Sequence, residues 1–330
     1  MFCMMRLDGL LRFQWGRYLV RAFGLLLPLA VAPSYADSGS LLLADLRQAE
    51  IALVNITTGP GLQSVIQETN SSGRSSLYDR SSLGGSSDLT FKNRIYDIFG
   101  GAALIRGRLS DNYDILLDPS SRYDIAVNRD VLALRASAGL TLPYNRFLKL
   151  RPYLSFIVSD LNTESSIYQL PESVQRALSD RQHYFNFSSS AWSVVSTLEL
   201  DYYRWFGRNR LEVLGVVNYS HTDTLSTDSP ELDSAAWGAT AMVKTKFSRD
   251  LKWKMYQKPF VAHLFYNYTD YMDQPKVALG FTQLQEVGVG LDWEWQIKPF
   301  DWVGFTALGL KGAYVFGDGV KGYSFGVMIR

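Results

Sequence analysis

The chain has 330 residues, enough for one large barrel or two ordinary domains, and its formal net charge is +1. A charge so evenly balanced excludes the basic footprint of a nucleic-acid-binding protein. Aromatic residues make up 14% of the chain, which is a high share, whereas the mean hydropathy is near zero and no long apolar run follows residue 36. These features exclude a helical membrane protein.

Residues 1–36 are predicted to be a secretory signal peptide. Two arginines precede the apolar run Ala22–Ala32, which is too short to span a bilayer, and the small residues Ser34 and Ala36 fit a cleavage site. The alternative is a membrane anchor that stays attached. The single cysteine, Cys3, lies inside this segment, so the expected mature chain has neither a disulfide nor a cysteine ligand for a metal.

Residues 37–89 are expected to form a short helix followed by a linker. Apolar residues at helical spacing between Leu42 and Leu53 predict an amphipathic helix. The stretch Asn70–Leu89, NSSGRSSLYDRSSLGGSSDL, has the Ser/Gly-rich composition of a flexible linker. The helix is either a plug inside a barrel lumen or a periplasmic tail, and the sequence leaves both interpretations open.

Residues 90–330 are predicted to form a transmembrane antiparallel β-barrel, because alternation of apolar and polar residues recurs along them. In EVGVGLDWEW, residues 286–295, Val287, Val289 and Leu291 share one face with two tryptophans, while the other face is small or acidic. Successive side chains of a strand point to opposite faces, so this decapeptide is a strand with one apolar face. Nine such strands are clear between Leu132 and the carboxyl end.

Two or three fainter strands between Gly100 and Asn128 bring the predicted total to about twelve, with ten or fourteen as alternatives. The connections FGRNR, PYNR and IKPFD are short, whereas Leu161–Ser190 and His221–Ser234 are long and polar. Short periplasmic turns and long outer loops are typical of outer-membrane barrels.

The placement of aromatic rings distinguishes a membrane barrel from a soluble sandwich. Rings gather at strand ends, where belts at the two water boundaries of a bilayer require them. The predicted belt residues are Trp192, Tyr202, Tyr219, Trp237, Phe247, Phe260, Tyr268, Phe281, Trp293, Trp295, Trp302, Tyr314 and Phe316. The apolar strand faces are therefore expected to contact lipid and the polar faces to line a wet lumen.

The lumen-facing charges are the candidate site residues of this chain. They fall into basic and acidic sectors along the strands, namely Arg135, Lys149, Arg151, Glu199, Asp201, Glu212, Lys244, Lys246, Glu286, Asp292, Glu294 and Lys311. Opposite charges on adjacent strands stabilise each other, so neighbouring sectors are expected to pair and to leave little net ion selectivity. The lumen-facing glycines of GVGLD are expected to relieve crowding rather than to bind a phosphate.

The carboxyl end carries a family resemblance. In GDGVKGYSFGVMIR, Tyr323, Phe325, Val327 and Ile329 share one face of a terminal strand, which resembles the assembly signal of outer-membrane barrels, although the chain ends on Arg330. A twelve-strand barrel of about 230 residues is similar to the autotransporter translocator domain, but residues 37–89 are too short for a secreted passenger.

The chain therefore resembles the solitary outer-membrane autotransporter-like barrels of Gram-negative bacteria. This resemblance implies a monomer in the outer membrane, with outer-membrane lipid and the barrel-assembly machinery as partners and no nucleic acid. The expected function is a small pore or translocator-like barrel. A structural or surface-interaction barrel that binds through its outer loops is one alternative, and an outer-membrane hydrolase is another.

A hydrolase would need a histidine beside a carboxylate or a serine. His221 and Asp223 could form such a pair in the polar loop SHTDTLSTD, whereas His263 is expected to make ordinary hydrogen bonds on the lumen face. The three histidines and the absence of a cysteine after Cys3 suggest no metal site. No catalytic residue, metal ligand or cofactor is assigned, and the chain is not expected to be an enzyme.

Overall fold

The computed structural model describes residues 63–71, 74–90, 95–118, 121–167, 186–228, 235–272, 281–294, 307–318 and 320–329. The chain divides into two units, Met1–Leu41 and Leu42–Arg330, and all described residues belong to the second. The predicted signal peptide and the predicted helix between Leu42 and Leu53 lie outside the described residues. No helix within the described ranges is long and apolar enough to cross a membrane.

The described residues form an all-β, antiparallel fold, which confirms the predicted class. Its strands are β1 (Gln63–Ser71), β2 (Arg74–Leu89), β3 (Asp97–Asp118), β4 (Ser121–Pro143), β5 (Leu148–Ile167), β6 (Phe187–Phe206), β7 (Asn209–Thr227), β8 (Ala235–Met255), β9 (Lys258–Met272), β10 (Gln283–Trp293), β11 (Leu308–Gly317) and β12 (Lys321–Ile329).

Each strand pairs with the next one along the chain, and β1 pairs with β12, so the sheet closes on itself. The closing register places Gln67 opposite Ser324, and the same strand places Gln67 opposite Tyr78 of β2. Closure gives every strand two neighbours, which removes the exposed edges at which a sheet would otherwise pair with other chains.

The structure corrects the linker prediction for Asn70–Leu89. This stretch supplies the end of β1 and the whole of β2, which pairs with β3 from Arg74 opposite Tyr113 to Leu89 opposite Ile98. The barrel sheet therefore begins at Gln63 and not at residue 90. Small polar residues are flexible in isolation, but here two neighbouring strands satisfy the backbone N–H and C=O groups, which composition alone does not reveal.

Three other boundaries differ from the predictions. The fainter strands expected between Gly100 and Asn128 are the two arms of one long hairpin, β3 and β4. Both ends of the polar segment Leu161–Ser190 and the first half of His221–Ser234 are strand, because β5 runs to Ile167, β6 begins at Phe187 and β7 runs to Thr227. Residues 168–185 and 229–234 lie outside the described residues. The polar residues at these strand ends have a low propensity for β structure, so the sequence predicted loops there. Pairing with a neighbouring strand nevertheless continues the strands through them.

Two predicted short turns are confirmed at one end of the sheet. Phe206 and Asn209 flank the β6–β7 turn, in which Gly207 has φ 63°, a conformation that glycine adopts without strain. The β4–β5 turn is held by Asn145, whose side-chain oxygen accepts the N–H groups of Phe147 at 2.8 Å and Leu148 at 3.0 Å. We call this the turn end and the opposite end the loop end; the connection predicted at IKPFD lies outside the described residues.

Candidate functional site

The outer face of the sheet is apolar and exposed. In β10, Val287, Val289 and Leu291 are exposed while Gly288 and Asp292 are buried, which confirms the facing predicted for this strand. Exposed residues of the same kind alternate along the other strands: Leu132, Leu134, Leu154, Phe156, Leu200, Val217, Val243, Leu264, Leu310, Phe325 and Val327. A contiguous apolar surface on this scale is the mark of a lipid-facing wall.

Aromatic rings form a group at each end of this apolar surface. At the turn end, Trp293 packs with Phe260 at 6.3 Å and with Tyr256 at 6.2 Å between ring centroids. At the loop end, Tyr219 stacks on Trp237 at 5.3 Å. Trp295 and Trp302, which were predicted for the same belts, lie outside the described residues. The two groups match the aromatic girdles of a membrane barrel.

The outward face changes character near the loop end of β3, β4 and β5. Leu104, Leu132 and Val158 are the last exposed apolar residues there, and charged residues take their place in the next outward positions, Arg106, Asp130 and Asp160. Arg108 donates to Asp130 at 2.9 Å on this exposed surface. The change marks the boundary at which the wall leaves the lipid and enters water.

Next to this boundary the inward face carries an apolar cluster, a feature that the sequence reading missed. Ala103, Ile105, Val131, Ala133, Ile157, Leu161 and Phe187 form one buried cluster. The combination of charged outer residues and apolar inner residues is the pattern of a soluble β protein. Near the lipid boundary, β3 to β5 therefore carry charged residues outside and an apolar cluster inside.

Eleven of the predicted lumen charges occupy the same alternate positions as the buried residues of their strands, and Glu294 follows the last residue of β10. Near the turn end, Arg151 contacts both Glu199 and Asp88, the latter at 3.4 Å, and its Nε donates to Thr141 at 3.0 Å. Thr141 in turn donates to Asp88 at 2.6 Å. This network joins β2, β4, β5 and β6.

A second network joins β7 and β8. Lys246 contacts Glu212 at 2.6 Å, and Arg210 contacts the same carboxylate at 3.3 Å. The two networks are the cross-strand pairing of opposite charges that was expected, and both lie toward the turn end of the wall.

The remaining inward charges are placed differently. Glu286 accepts a hydrogen bond from Asn267 at 2.5 Å and another from the Ser324 hydroxyl. Lys311 has its Nζ 5.7 Å from the ring centroid of Phe265, a cation–π contact. Neutral groups therefore lie next to both of these charges.

The glycines of β10 make room for rings from β9. A Cβ at Gly290 would meet the His263 Nε2 atom at 2.1 Å, and a Cβ at Gly288 would meet Phe265 Cζ at 2.5 Å. The two rings lie across β10 in the space that side chains would otherwise fill. These glycines were expected to relieve crowding on the lumen face. They do so by leaving space for the His263 and Phe265 rings of β9.

The structure corrects the setting proposed for His221 and Asp223. Both belong to β7 rather than to a loop, and His221 stands between two tryptophans, with ring centroids 5.6 Å from Trp192 and 4.2 Å from Trp237. Trp237 is exposed on the outer face. His221 is thus part of the loop-end aromatic belt. Packing within this belt accounts for its place between Trp192 and Trp237 and requires no catalytic role.

His263 has a serine and a carboxylate nearby, a set that sequence spacing did not reveal. Ser248 lies opposite His263 in register, and His263 Nδ1 is 3.8 Å from Asp292 Oδ1. The Nε2 atom faces Gly290, however, and the Ser248 hydroxyl makes no hydrogen bond within the described residues. The bond between nucleophile and base that a hydrolase requires is not formed.

No group of three or more residues able to hold a metal ion occurs within the described part of the chain. The arrangement instead combines a closed antiparallel sheet, an exposed apolar outer face and two aromatic belts. Only helices and closed barrels satisfy all their backbone groups inside lipid, and a barrel with this outer face is an outer-membrane barrel.

No protein-family model and no curated protein matches the chain. Among solved structures, the β domain of the Bordetella autotransporter BrkA matches at 11% identity over 80% of this chain and 95% of that chain, with a TM-score of 0.48. The translocator domain of NalP from Neisseria meningitidis matches at 12% identity over 88% and 95% of the two chains, with a TM-score of 0.47.

The transport unit of AIDA-I from Escherichia coli matches at 9% identity over 90% of this chain and 100% of that chain, with a TM-score of 0.47. All three are parts of autotransporters. The chain is similar to these autotransporter parts at low identity, whereas its assignment as an outer-membrane β-barrel protein rests on the closed sheet and the exposed apolar outer face.

Proposed function

We propose that the chain crosses the outer membrane as a twelve-stranded barrel and acts as a small, water-filled pore for ions and hydrophilic solutes. The inward face supports this proposal most directly. Charged and polar side chains line it on many strands, and near the turn end they are held against the wall by ion pairs such as Lys246–Glu212 at 2.6 Å. Side chains fixed to the wall leave the axis of a barrel to water.

A translocator-like role is the variant of this function that the resemblance to autotransporters suggests. It would use the same lumen to pass a polypeptide segment. The two roles differ in what must fit inside the barrel, since ions need a narrow wet path whereas an extended chain needs a wider one. Single-channel conductance separates them, because conductance grows with the cross-section of the path.

A surface-interaction barrel is the second candidate function. It is favoured by the loop-end part of β3 to β5, which carries charged outer residues, a buried ion pair between Arg129 and Asp111 and an apolar cluster at its base. Such a part projects into the external medium and offers a folded surface. Loss of a surface phenotype on replacing residues 106–130 with a short turn, with conductance unchanged, would favour this second role.

The test of the pore is planar-bilayer recording of the refolded full chain. Discrete conductance steps that scale with salt concentration are expected from a water-filled path. A barrel that inserts fully, as judged by heat-modifiable migration and protease protection, but never conducts would contradict the pore. The hydrolase alternative has a simple control. The variant Ser248→Ala should leave any hydrolytic activity of the refolded chain unchanged.

A further inference from the structure

We propose that the turn end of β5 and β6 binds an anionic phospholipid, with Arg146 and Arg204 as the ligands of its phosphate. The acyl chains of this lipid lie on the neighbouring apolar outer face of the two strands. Short turns are periplasmic in outer-membrane barrels, so the site belongs to the inner leaflet. The proposal rests on the position of the barrel in a membrane and does not depend on conduction through its lumen.

One aromatic ring brings the two guanidinium groups together. The Arg146 Cζ atom lies 4.4 Å from the centroid of the Phe147 ring, and the Arg204 Cζ atom lies 5.3 Å from the same centroid. Arg204 Cζ is also 5.0 Å from the centroid of the Phe206 ring. Cation–π contacts of this kind orient a guanidinium group while its N–H donors stay available. Both arginines are exposed, so two positive charges stand side by side at the surface.

Backbone contacts fix the positions of these side chains. Arg146 and Phe147 belong to the β4–β5 turn, in which the side-chain oxygen of Asn145 accepts the Phe147 N–H at 2.8 Å. The Phe147 carbonyl oxygen in turn accepts the N–H of Tyr203 at 2.9 Å, which ties the turn to β6 next to Arg204. A site whose backbone is already fixed loses less conformational entropy when a ligand binds.

The charges around the two arginines favour an anionic ligand. Within the residues that the structure describes, neither Arg146 nor Arg204 forms an ion pair with a carboxylate. The other exposed cations described at the turn end are Arg208, Arg249, Lys252 and Lys254. Every carboxylate described at this end is buried or only partly exposed, whereas both signs are exposed at the loop end, for example Arg108 and Asp160. A basic surface beside a bilayer attracts anionic headgroups.

An apolar surface adjoins the two arginines. Arg204 follows Leu200 along the outward face of β6, and Leu200 is exposed. Leu154 and Phe156 are exposed on the same face of β5, which pairs with β6. A phosphate at the arginines and acyl chains on these side chains match the two parts of a phospholipid. Inorganic phosphate would use the first part only, which is why the lipid is the expected ligand.

Guanidinium groups suit the phosphate of a lipid. Their planar sets of N–H donors bind phosphate oxygens in pairs. Two adjacent positive charges repel each other, and a phosphate between them replaces this repulsion by two attractions. A lipid with a net negative charge, such as phosphatidylglycerol, is preferred to phosphatidylcholine, because the choline group of the latter carries a positive charge of its own.

The experiment measures the affinity of the first lipid bound. The detergent-refolded full chain is titrated with phosphatidylglycerol or with phosphatidylcholine of the same acyl chains, and native mass spectrometry gives each Kd. Arg146→Gln and Arg204→Gln each remove one ligand of the phosphate. Lys252→Gln is the matched control, because it removes an exposed cation of the same end from another strand, β8.

We expect wild type and Lys252→Gln to bind phosphatidylglycerol about fivefold more tightly than phosphatidylcholine, because a basic residue at a membrane surface contributes about this factor. Each arginine variant should lose most of this preference. Sodium phosphate at constant ionic strength should not displace the lipid. Arg146 lies in an exposed turn, so Arg146→Gln carries the test if Arg204→Gln fails to show the heat-modifiable migration of a folded barrel.

Equal affinity of wild type for the two lipids would overturn the site. An equal loss of affinity in Lys252→Gln and in the arginine variants would overturn it as well, since the attraction would then be spread over the whole turn end. Displacement of the lipid by sodium phosphate would show that the arginines bind a free anion and would reject the lipid. None of these outcomes bears on the proposed pore, which planar-bilayer recording tests separately.

Discussion

At the scale of single residues, β10 shows how small side chains on the lumen wall complement large ones. Phe265 and Gly288 face each other in register, as do His263 and Gly290. The glycines are required by the close approach of neighbouring atoms and not by an unusual backbone conformation. The acidic and glycine residues of EVGVGLDWEW therefore serve two purposes, since the acids provide charge and the glycines provide space.

Gly288→Ala is expected to destabilise the barrel. The new Cβ would lie 2.5 Å from Ala313 Cβ, from the Gly312 carbonyl oxygen and from Phe265 Cζ, and backbone atoms cannot move as readily as a side chain. Overpacking of this kind costs about 1–3 kcal/mol of unfolding free energy. Denaturant titration of the refolded barrel measures the cost.

Gly312→Ala is the matched control, because its Cβ would meet only the Phe325 ring, at 3.5 Å, which is ordinary contact. It should change the stability little. If both alanine variants unfold at the same denaturant concentration as wild type, the barrel tolerates a Cβ at Gly288. The close packing of β9 against β10 is then not the reason for a glycine there.

At the scale of elements, the β3–β4 hairpin joins a membrane-spanning part to a water-exposed part, and ion pairs in the second part differ sharply in burial. Arg129 donates to Asp111 at 2.6 Å, with side-chain exposures of 4% and 0%. Asp111 also accepts from Ser76 at 2.6 Å, which connects the hairpin to β2. The nearby Arg108–Asp130 pair is exposed on the outer face.

Asp111→Ala is expected to cost about 3–5 kcal/mol, because it leaves Arg129 as a buried charge without this carboxylate. Asp130→Ala in the same hairpin should cost less than about 1 kcal/mol, as exposed pairs do. Chevron or equilibrium unfolding of the two variants gives the comparison. Similar costs for both would mean that the Arg129–Asp111 pair is open to water.

Replacement of an outward residue by arginine tests the depth of the membrane on the strands. Val289→Arg places a charge in the middle of the apolar surface of β10, where Val289 is 63% exposed, and should cost about 2–4 kcal/mol in a lipid bilayer. Asn128→Arg lies on the outer face of β4 beyond Asp130 and should cost about 0–1 kcal/mol.

Titration of both arginine variants into lipid vesicles distinguishes the two positions. A cost at Asn128 as large as that at Val289 would move the lipid boundary outward, past the charged residues of the hairpin. A negligible cost at Val289 would argue that this face of the sheet does not contact lipid at all.

At the scale of the whole molecule, closure of the sheet depends on β1 and β2, which the sequence reading placed before the barrel, β2 as a linker. β1 pairs with both β12 and β2, so it joins the last strand to the rest of the sheet. A deletion from Asp37 to Gly85, which the linker prediction would suggest, removes β1 and most of β2 and leaves β3 and β12 with open edges. Such a chain should aggregate rather than insert.

Deletion of residues 37–62 behind an intact signal segment is the sharper experiment on a possible plug. It leaves β1 complete, since this strand begins at Gln63. We expect a folded, heat-modifiable barrel whose conductance exceeds that of the full chain, because a segment inside the lumen would obstruct current. Equal conductance of the two chains would assign the segment to a tail outside the lumen.

The sequence by itself determined the strand class, the facing of most strands and the short β4–β5 and β6–β7 turns, because a period of two is a local property of the chain. It did not determine which strands close the sheet, since β1 and β2 are recognisable only through their partners. The tertiary structure alone revealed the inward apolar cluster of β3 to β6 and the outward position of His221 beside Trp192 and Trp237. Each of these depends on strands far apart in the chain, and the curvature and register of a closed sheet, not local spacing, bring such strands together.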